Sequence, residues 1–460
     1  MQNTVPAQAI TDLVREVAGS VYVPGDEGYA REIAGFNLRS THEPLLVVAA
    51  AHTGDVQAAV SFAAAHQLPV GVKNTGHQPF PAQEGFVLIT VGAMRSVAID
   101  ADRAVARVGG GARWADVVGP AQEVGLAPLN GSAPHVGVVG YTLGGGLSPL
   151  LGRVHGWAVD HVVSIEVVTA DGRVRRVARD EEPELFRVLC GGRSNFGVVT
   201  EIEFGLFPLS SFYGGGIYLP GHTAEDVLRT FAELSRQPLP EGFNCSVALL
   251  NLPPLPELPE PFRGKFLAHV RVSHLGTDAE ADALIAPFRA LGPALVDTVS
   301  RQPYSAFAAV HADPVDPAPY EESSALLASL PDEAVDRLAA FARTAAGGPV
   351  TVLELRQLGG ALNATPAHAV PLAARQAGFI AWGATVGPPP VVASGELALR
   401  TLLDELSPWS TGLLYTNFTG REDQAEDTFD VDTLVDLREA KRRFDPQNLF
   451  RVNNHNVDPQ

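Results

Sequence analysis

The run Val136-Gly137-Val138-Val139-Gly140-Tyr141-Thr142-Leu143-Gly144-Gly145-Gly146 concentrates glycine between apolar residues. Glycine admits positive φ and lets backbone N–H groups approach a ligand closely. Successive N–H groups in such a loop form an anion-binding concavity. Three other segments share this character: Lys73-Asn74-Thr75-Gly76-His77, directly after an apolar run, Gly109-Gly110-Gly111, and Gly191–Thr200 (GGRSNFGVVT). Any one of them alone is an ordinary tight turn. Four together read as a wrapping for the pyrophosphate of a dinucleotide. None has the G-x-G-x-x-G spacing with a downstream acidic residue that a Rossmann site needs. None is a G-x-x-x-x-G-K-[ST] loop, which excludes a nucleotide-hydrolysing P-loop.

Outward from these loops, β-like and helix-like segments alternate. Pro44–Ala50, Leu68–Lys73, Phe86–Val91, Ser96–Asp100 and Ala104–Val108 read as strands. Thr53–His66 reads as a helix with Thr53 at its N-cap, and Trp114–Val124 as a second helix. Val162–Thr169 and Arg173–Val177 flank Asp171-Gly172, a hairpin signal. Phe196–Phe207 is a further apolar run. Turn density rises over Pro208–Gly216, which marks a change of domain. Beyond it come strands at Phe243–Asn251 and Lys265–Val272, a Pro-rich loop between them, and helices at Asp278–Arg289 and Asp332–Ala345. Gly387–Val392 (GPPPVV) reads as a loop, and Val431–Arg443 as an amphipathic helix stopped by Asp445-Pro446. The fold class is therefore α+β with a long sheet covered by helices on one face, not a regular βαβ array.

The formal net charge is -19, which repels nucleic acid and acidic lipid on average. No uninterrupted apolar run is long enough to span a bilayer. The start, MQNTVPAQAITDLVREV, lacks a basic stretch followed by an apolar core, so a cytoplasmic protein is expected. Cys190 and Cys245 are too few for a disulfide framework, and buried thiols are expected. No metal site is expected. A small organic ligand in a cleft is the default.

The four loops, taken with GGGARWADV (Gly109–Val117), SAPHVGVVGYTLGGGLSPL, PELFRVLCGGRSNFGVVTEIEF, LLYTNF (Leu413–Phe418) and RRFDPQNLFRVNNHNV (Arg442–Val457), resemble the berberine bridge enzyme-like branch of the vanillyl-alcohol oxidase superfamily. The resemblance runs from about Tyr29 to Val457. It implies a two-lobed FAD-binding domain over residues 1–208, a substrate domain over 209–410, and a C-terminal segment, 411–460, that returns to the FAD domain. It also implies FAD as cofactor, bonded covalently through His77, with Lys73, Asn74, Thr75, Gly76 and Gln78 around the link. Many relatives carry a second bond from the cysteine of Cys-Pro-x-Val-Gly. Here the stretch is Ala133-Pro134-His135-Val136-Gly137. Alanine forms no thioether, so His77 is expected to be the only tether. His135 either fills the space of the missing cysteine or faces solvent.

Further roles follow from the resemblance. Val136 matches a position that gates oxygen, where a small residue accompanies oxidase behaviour. Gly137, Gly140, Tyr141, Gly144 and Gly145 fall in the pyrophosphate loop, and Gly197, Val198 and Val199 in the last glycine segment. Tyr415 lies in what resembles a Tyr-x-Asn-[FY] strand facing the flavin, as catalytic base or substrate contact. Asn417 would touch the ring or ribityl chain. Asn453 and Asn454 match the terminal Asn-x-Asn region that closes over the cofactor, and Glu354 is a candidate supporting carboxylate in the substrate cavity. Trp382 is expected to pack on the sheet. The implied reaction takes a hydride from a C–H bond of an alcohol, amine or activated carbon to the flavin and then two electrons to molecular oxygen. The substrate would be a natural product or sugar, and the Ala-, Arg- and Gly-rich composition fits bacterial specialised metabolism. Two alternatives stand beside it: a non-redox cyclase with a structural flavin, and a flavin-containing protein that sequesters its ligand. Oligomeric state is left open.

Overall fold

The computed structural model describes residues 5–39, 42–78, 80–366, 370, 372–420 and 424–460. Its first sheet grows from short β-branched runs. Leu46–Ala49 and Val70–Lys73 both pair parallel with Val87–Thr90, and Ser20–Tyr22 adds antiparallel at the edge. Val87–Thr90 lies between the two, and the helix Thr53–Ala65 carries the chain from Leu46–Ala49 across to Val70–Lys73. Its Val56, Ala59, Val60 and Ala63 bury against Leu46, Val48 and Ile89. Thr53 is not the cap of this helix. His52 caps it, its Nδ1 accepting from Asp55 N at 3.3 Å. The Thr53 hydroxyl instead donates to Glu166 at 2.9 Å.

The second sheet is antiparallel, in the order Val97–Asp100, Val105–Gly109, Val198–Gly205, Val162–Val168, Val174–Ala178. The expected hairpin at Asp171-Gly172 forms, with Gly172 at φ +73°.

The third sheet has eight strands. Ser211–Pro220, Phe266–His274, Phe243–Asn251, Val352–Gln357, Phe379–Val386 and Tyr320–Leu327 lie side by side, all antiparallel. Strand side chains alternate between faces. Cys245, Val247, Leu249, Ala268, Val270, Val272, Leu353 and Leu355 point to one face, under the helices Ala224–Ser235, Asp278–Arg289, Asp332–Ala345 and Pro389–Glu405. Their strand neighbours Asn244, Ser246, His269, Arg271, Ser273, Glu354 and Arg356 take the other face. That polar face turns toward the first two sheets. The class is thus α+β with large antiparallel sheets.

Several segments depart from the sequence reading. Pro208–Gly216 is not all turn: Ser211–Pro220 is a ten-residue strand that opens the third sheet. Its glycines make room for neighbours; a Cβ on Gly216 would lie 2.2 Å from His269 Nε2. Gly387–Val392 is not a loop throughout, because the helix Pro389–Glu405 begins inside it. Proline is tolerated in a first helical turn, where N–H groups lack helical partners anyway. Val138–Leu143 forms a short helix within the glycine-rich run. Leu413–Phe418 is not a strand; it turns, with Phe418 N donating to Tyr415 O at 2.7 Å. Among the described residues, no helix is long and apolar enough to cross a membrane.

The tail is fastened to the glycine segment at Gly191–Thr200 by buried charge. In the helix Val431–Phe444, Lys441 Nζ lies 2.8 Å from Asp445 Oδ2, both side chains fully buried. Lys441 also donates to Asn195 O at 2.6 Å, and Asp445 accepts from Leu449 N and Phe450 N. Asn195 in turn binds His455 O and Val457 N. Removing one member of a buried ion pair strands the other. Lys441→Ala should therefore cost about 3–5 kcal/mol of stability, read as a fall in the denaturant midpoint.

Candidate active site

The chain leaves the strand Val70–Lys73 through a turn that only glycine accommodates. Gly76 has φ +66°, and a Cβ there would lie 2.6 Å from Gly35 Cα. Phe36 N and Asn37 N donate to Thr75 O and Gly76 O at 2.9 Å each. This zipper fixes the next residue, His77. Its ring lies flat on Phe36, centroids 4.1 Å apart, and beside His135 at 4.9 Å. His135 itself stacks on Phe36 at 4.6 Å, so it packs against His77. His77 Nδ1 lies 2.8 Å from the Thr75 hydroxyl, whereas Nε2 is buried with no partner among the described residues. Burial first, then the charges of His135 and Arg113, push the imidazole down to about 3. It is neutral, with a lone pair available.

The stretch Ala133–Gly137 pairs along the 112–115 backbone: Trp114 N donates to Val136 O, Ala115 N to Pro134 O and Val138 N to Ala112 O. Val136 packs half-buried on the central apolar cluster. Asn74 reaches across, its Nδ2 3.4 Å from the carbonyls of Gly110 and Ala112. A Cβ on Gly137 would lie 2.7 Å from Asn74 Nδ2, while Gly140 has open space apart from Arg193 at 3.6 Å. Gln78 Nε2 donates to Thr416 O at 2.6 Å, tying the histidine loop to the C-terminal segment.

That segment carries Tyr415 and Asn417. Tyr415 is 1% exposed, packed on Trp157 at 5.3 Å and edge-on to Phe418 at 5.2 Å. Its hydroxyl oxygen accepts from Leu147 N and from Asn417 Nδ2, both at 3.1 Å. Asn417 Nδ2 also donates to Tyr141 O at 2.9 Å, and Tyr141 OH to Leu129 O at 3.0 Å. Burial pushes the Tyr415 phenol up to about 12, against the pull of those two donors and of Arg356 and Arg193. Gly145 stands at φ +113° beside the Tyr415 ring.

Other expected site residues sit elsewhere or do other work. Lys73 turns away: its ammonium donates to Ala34 O at 2.8 Å, and burial lowers it to about 8. Gly197 lets strands close, since a Cβ would lie 2.5 Å from Val168 O, and Val198 and Val199 are buried in apolar clusters. Asn453 folds back on its own turn, bonding Phe450 O and His455 N, with Asn454 beside it. Trp382 donates to the Glu322 carboxylate at 2.7 Å and lies 5.6 Å from Phe418. Ala133 has no thiol to offer, and Cys190 and Cys245 are both free and buried in apolar clusters.

Glu354 is buried rather than superficial, at 3% exposed. Arg271 Nη1 lies 2.8 Å and Arg356 Nη2 3.0 Å from its carboxylate, with His311 Nε2 at 3.6 Å. Burial raises a carboxyl's pKa, but these three neighbours overrule it and hold Glu354 well below the usual range. It is an anchored anion, not a proton acceptor.

Three residues escaped the sequence reading. Arg193 has φ +56°, a strained backbone for a non-glycine residue, and its Nη1 donates to Thr416 O at 3.3 Å. Burial lowers it to about 10, opposed by nearby Tyr415. Arg113 adds charge beside His77. Asn456 presents a buried Oδ1 with no partner. Arginine inside a glycine-rich run was the available signal for Arg193.

Buried polar atoms are nearly always paired, and each orphan costs about 1–3 kcal/mol. Orphans cluster here: Asn74 Oδ1, His77 Nε2, Arg113 Nε, Thr142 Oγ1 and Asn456 Oδ1. They sit on the glycine loops and the tail, so the residues present fit a long polar cofactor such as FAD.

Known proteins match this arrangement. The model of the FAD binding domain matches residues 44–178. The (R)-6-hydroxynicotine oxidase of Paenarthrobacter nicotinovorans is 28% identical over 96% of this chain and 97% of its own. The solved 6-hydroxy-D-nicotine oxidase from Arthrobacter nicotinovorans superposes with a TM-score of 0.81 at 25% identity, covering 96% of this chain and 98% of that one. Xylooligosaccharide oxidase from Myceliophthora thermophila shares the fold, with a TM-score of 0.84 at 23% identity and coverage of 98% and 99%. Fold and site together define an FAD-dependent oxidoreductase of the vanillyl-alcohol oxidase type. Within that superfamily the chain resembles the berberine bridge enzyme-like FAD oxidases.

A Cβ on Gly144 would lie 2.0 Å from Asn417 Oδ1. Gly144→Ala should push Asn417 off the Tyr415 hydroxyl and slow substrate-dependent flavin reduction about tenfold or more. Stopped-flow absorbance checks this.

Proposed function

We propose that this enzyme is an oxidase that holds FAD by one covalent bond, through His77, and uses Tyr415 to take a proton from the substrate. When bound, FAD supplies the two-electron acceptor and passes the electrons to oxygen, giving hydrogen peroxide. Residues 1–208 and the returning tail 411–460 would hold it, and the polar face of residues 209–410 would cover the substrate. The observation that carries the reading is the Tyr415 hydroxyl, which is buried, accepts two N–H donors and stands near two guanidiniums. The two donors and the guanidiniums favour negative charge on its oxygen, and burial opposes them. A phenolate so held removes the proton of a substrate hydroxyl or amine.

The single tether is supported by His77 Nε2, partnerless among the described residues, while Nδ1 is engaged by Thr75. Ala133 removes the second link. Val136, small and packed beside this loop, supports oxygen as acceptor. The nicotine-oxidase relative supports a small organic substrate bearing an oxidisable carbon next to nitrogen or oxygen.

Denatured wild-type protein should remain yellow, with the FAD mass on the peptide that contains His77. His77→Ala should release all its flavin on acid precipitation; retained flavin would place the bond elsewhere.

The base requires Tyr415 deprotonated, and at a pKa of about 12 only about one phenol in 10⁵ is ionised at pH 7. Anaerobic flavin bleaching by substrate should therefore accelerate about tenfold per pH unit from pH 7 to 10. Tyr415→Phe should lose that slope and most of the rate. Product formed without bleaching would point to a non-redox reaction.

A further inference from the structure

On the inner face of the large sheet, the cluster of Arg271, Arg356 and Glu354 carries one net positive charge, while Glu322, buried on the same face, takes the Trp382 N–H. Arg271 and Arg356 side chains are 6% and 11% exposed, and they share one carboxylate, Glu354. Arg271 is fully occupied: Nη1 binds Glu354, Nε binds His269 Nδ1 at 3.2 Å and Nη2 binds His311 O at 3.5 Å. Arg356 spends Nε and Nη2 on Glu354 and on His311 Nε2. Its Nη1 donates to no group among the described residues. Burial and the adjacent Arg271 keep His269 and His311 neutral, so they neither add nor cancel charge. Asp313 is only half-buried and acts on Arg356 from beyond ion-pair range.

Arg356 is among the residues that line a narrow cavity of about 20 Å³, with Leu147, Ser148, Ser246, Arg271 and His311. This cavity adjoins the catalytic phenol. Leu147 N binds the Tyr415 hydroxyl, and the Arg356 guanidinium lies 5.8 Å from the Phe418 ring that packs on Tyr415. An unmatched buried cation is destabilising, and a guanidinium edge matches a carboxylate in shape and charge. A neutral sugar or amine would leave the excess charge uncompensated.

We propose that the substrate carries a carboxylate, which docks on the free edge of Arg356 and presents the oxidised carbon to Tyr415. This rests on the Tyr415 cavity being the substrate site. Glu354, held by Arg271 and His311, then acts as a positioning residue that aims Arg356 and leaves one positive charge for the substrate.

The test uses flavin-loaded protein with benzoate and its neutral isostere benzamide, at constant ionic strength. Binding is read from the flavin absorption difference spectrum and from the rise in Tm. Benzoate should bind about tenfold or more tighter than benzamide. Arg356→Gln should abolish that preference, and Glu354→Gln, which adds a net positive charge, should strengthen benzoate binding. A merely structural network would weaken both ligands in both variants. Equal binding of the two probes to wild type, absence of benzoate binding, or unchanged benzoate affinity in Arg356→Gln overturns the proposal. Covalent flavin and substrate-dependent bleaching are separate readouts, so failure here leaves the oxidase reading standing on its own.

Discussion

The large sheet must bury two faces of opposite character. One is apolar and takes its helices by ordinary hydrophobic packing. The other carries two arginines, a histidine, two glutamates and several serines, and it is buried as well. Such a face is tolerable only where every charge meets a partner. Glu354 meets that condition for Arg271 and for most of Arg356. The pairing of Arg271, Arg356 and His311 around Glu354 descends from this constraint.

A second dependence runs through the C-terminal tail. Tyr415 and Asn417 lie on an irregular segment, with no strand pairing to position them. They are placed by contacts from far away in sequence: Leu147 N, Tyr141 O and the Gln78 and Arg193 bonds to Thr416 O. Lys441 and Asp445 lock the following helix onto Asn195, and Asn195 holds His455 and Val457. Tyr415 and the glycine loops are thereby clamped together by buried polar bonds. That suits a site whose polar atoms must hold still in a low-dielectric interior.

Much of this was legible in the residues. The helices at Asp278–Arg289 and Asp332–Ala345 and the strand Phe243–Asn251 occur with the bounds their hydrophobic patterns indicate, because amphipathic period and burial coincide there. The glycine segments were readable as ligand loops, yet their glycines divide. Gly76, Gly144 and Gly145 shape the site, whereas Gly110, Gly111 and Gly197 exist so that backbones can touch. One sequence cannot separate those uses, since both require a missing Cβ. Lys73 was expected around the histidine link, but its side chain follows the buried carbonyl of Ala34. Asn456, rather than Asn453, offers the orphaned oxygen, a difference of rotation along an irregular tail.

The sequence by itself determined the cofactor class, the histidine that is the candidate tether and the absence of a cysteine in the second-tether position, because these depend on residue type at local spacing. Only the tertiary structure decided what surrounds the substrate. Which strand face looks inward depends on register, and a shift of one residue would exchange Glu354 and Arg356 for Leu353 and Leu355. The meeting of Tyr415 with Leu147, and of Glu354 with Arg271 and His311, joins residues distant in the chain. Their pairing is set by the energy of burying charge, which local sequence does not contain.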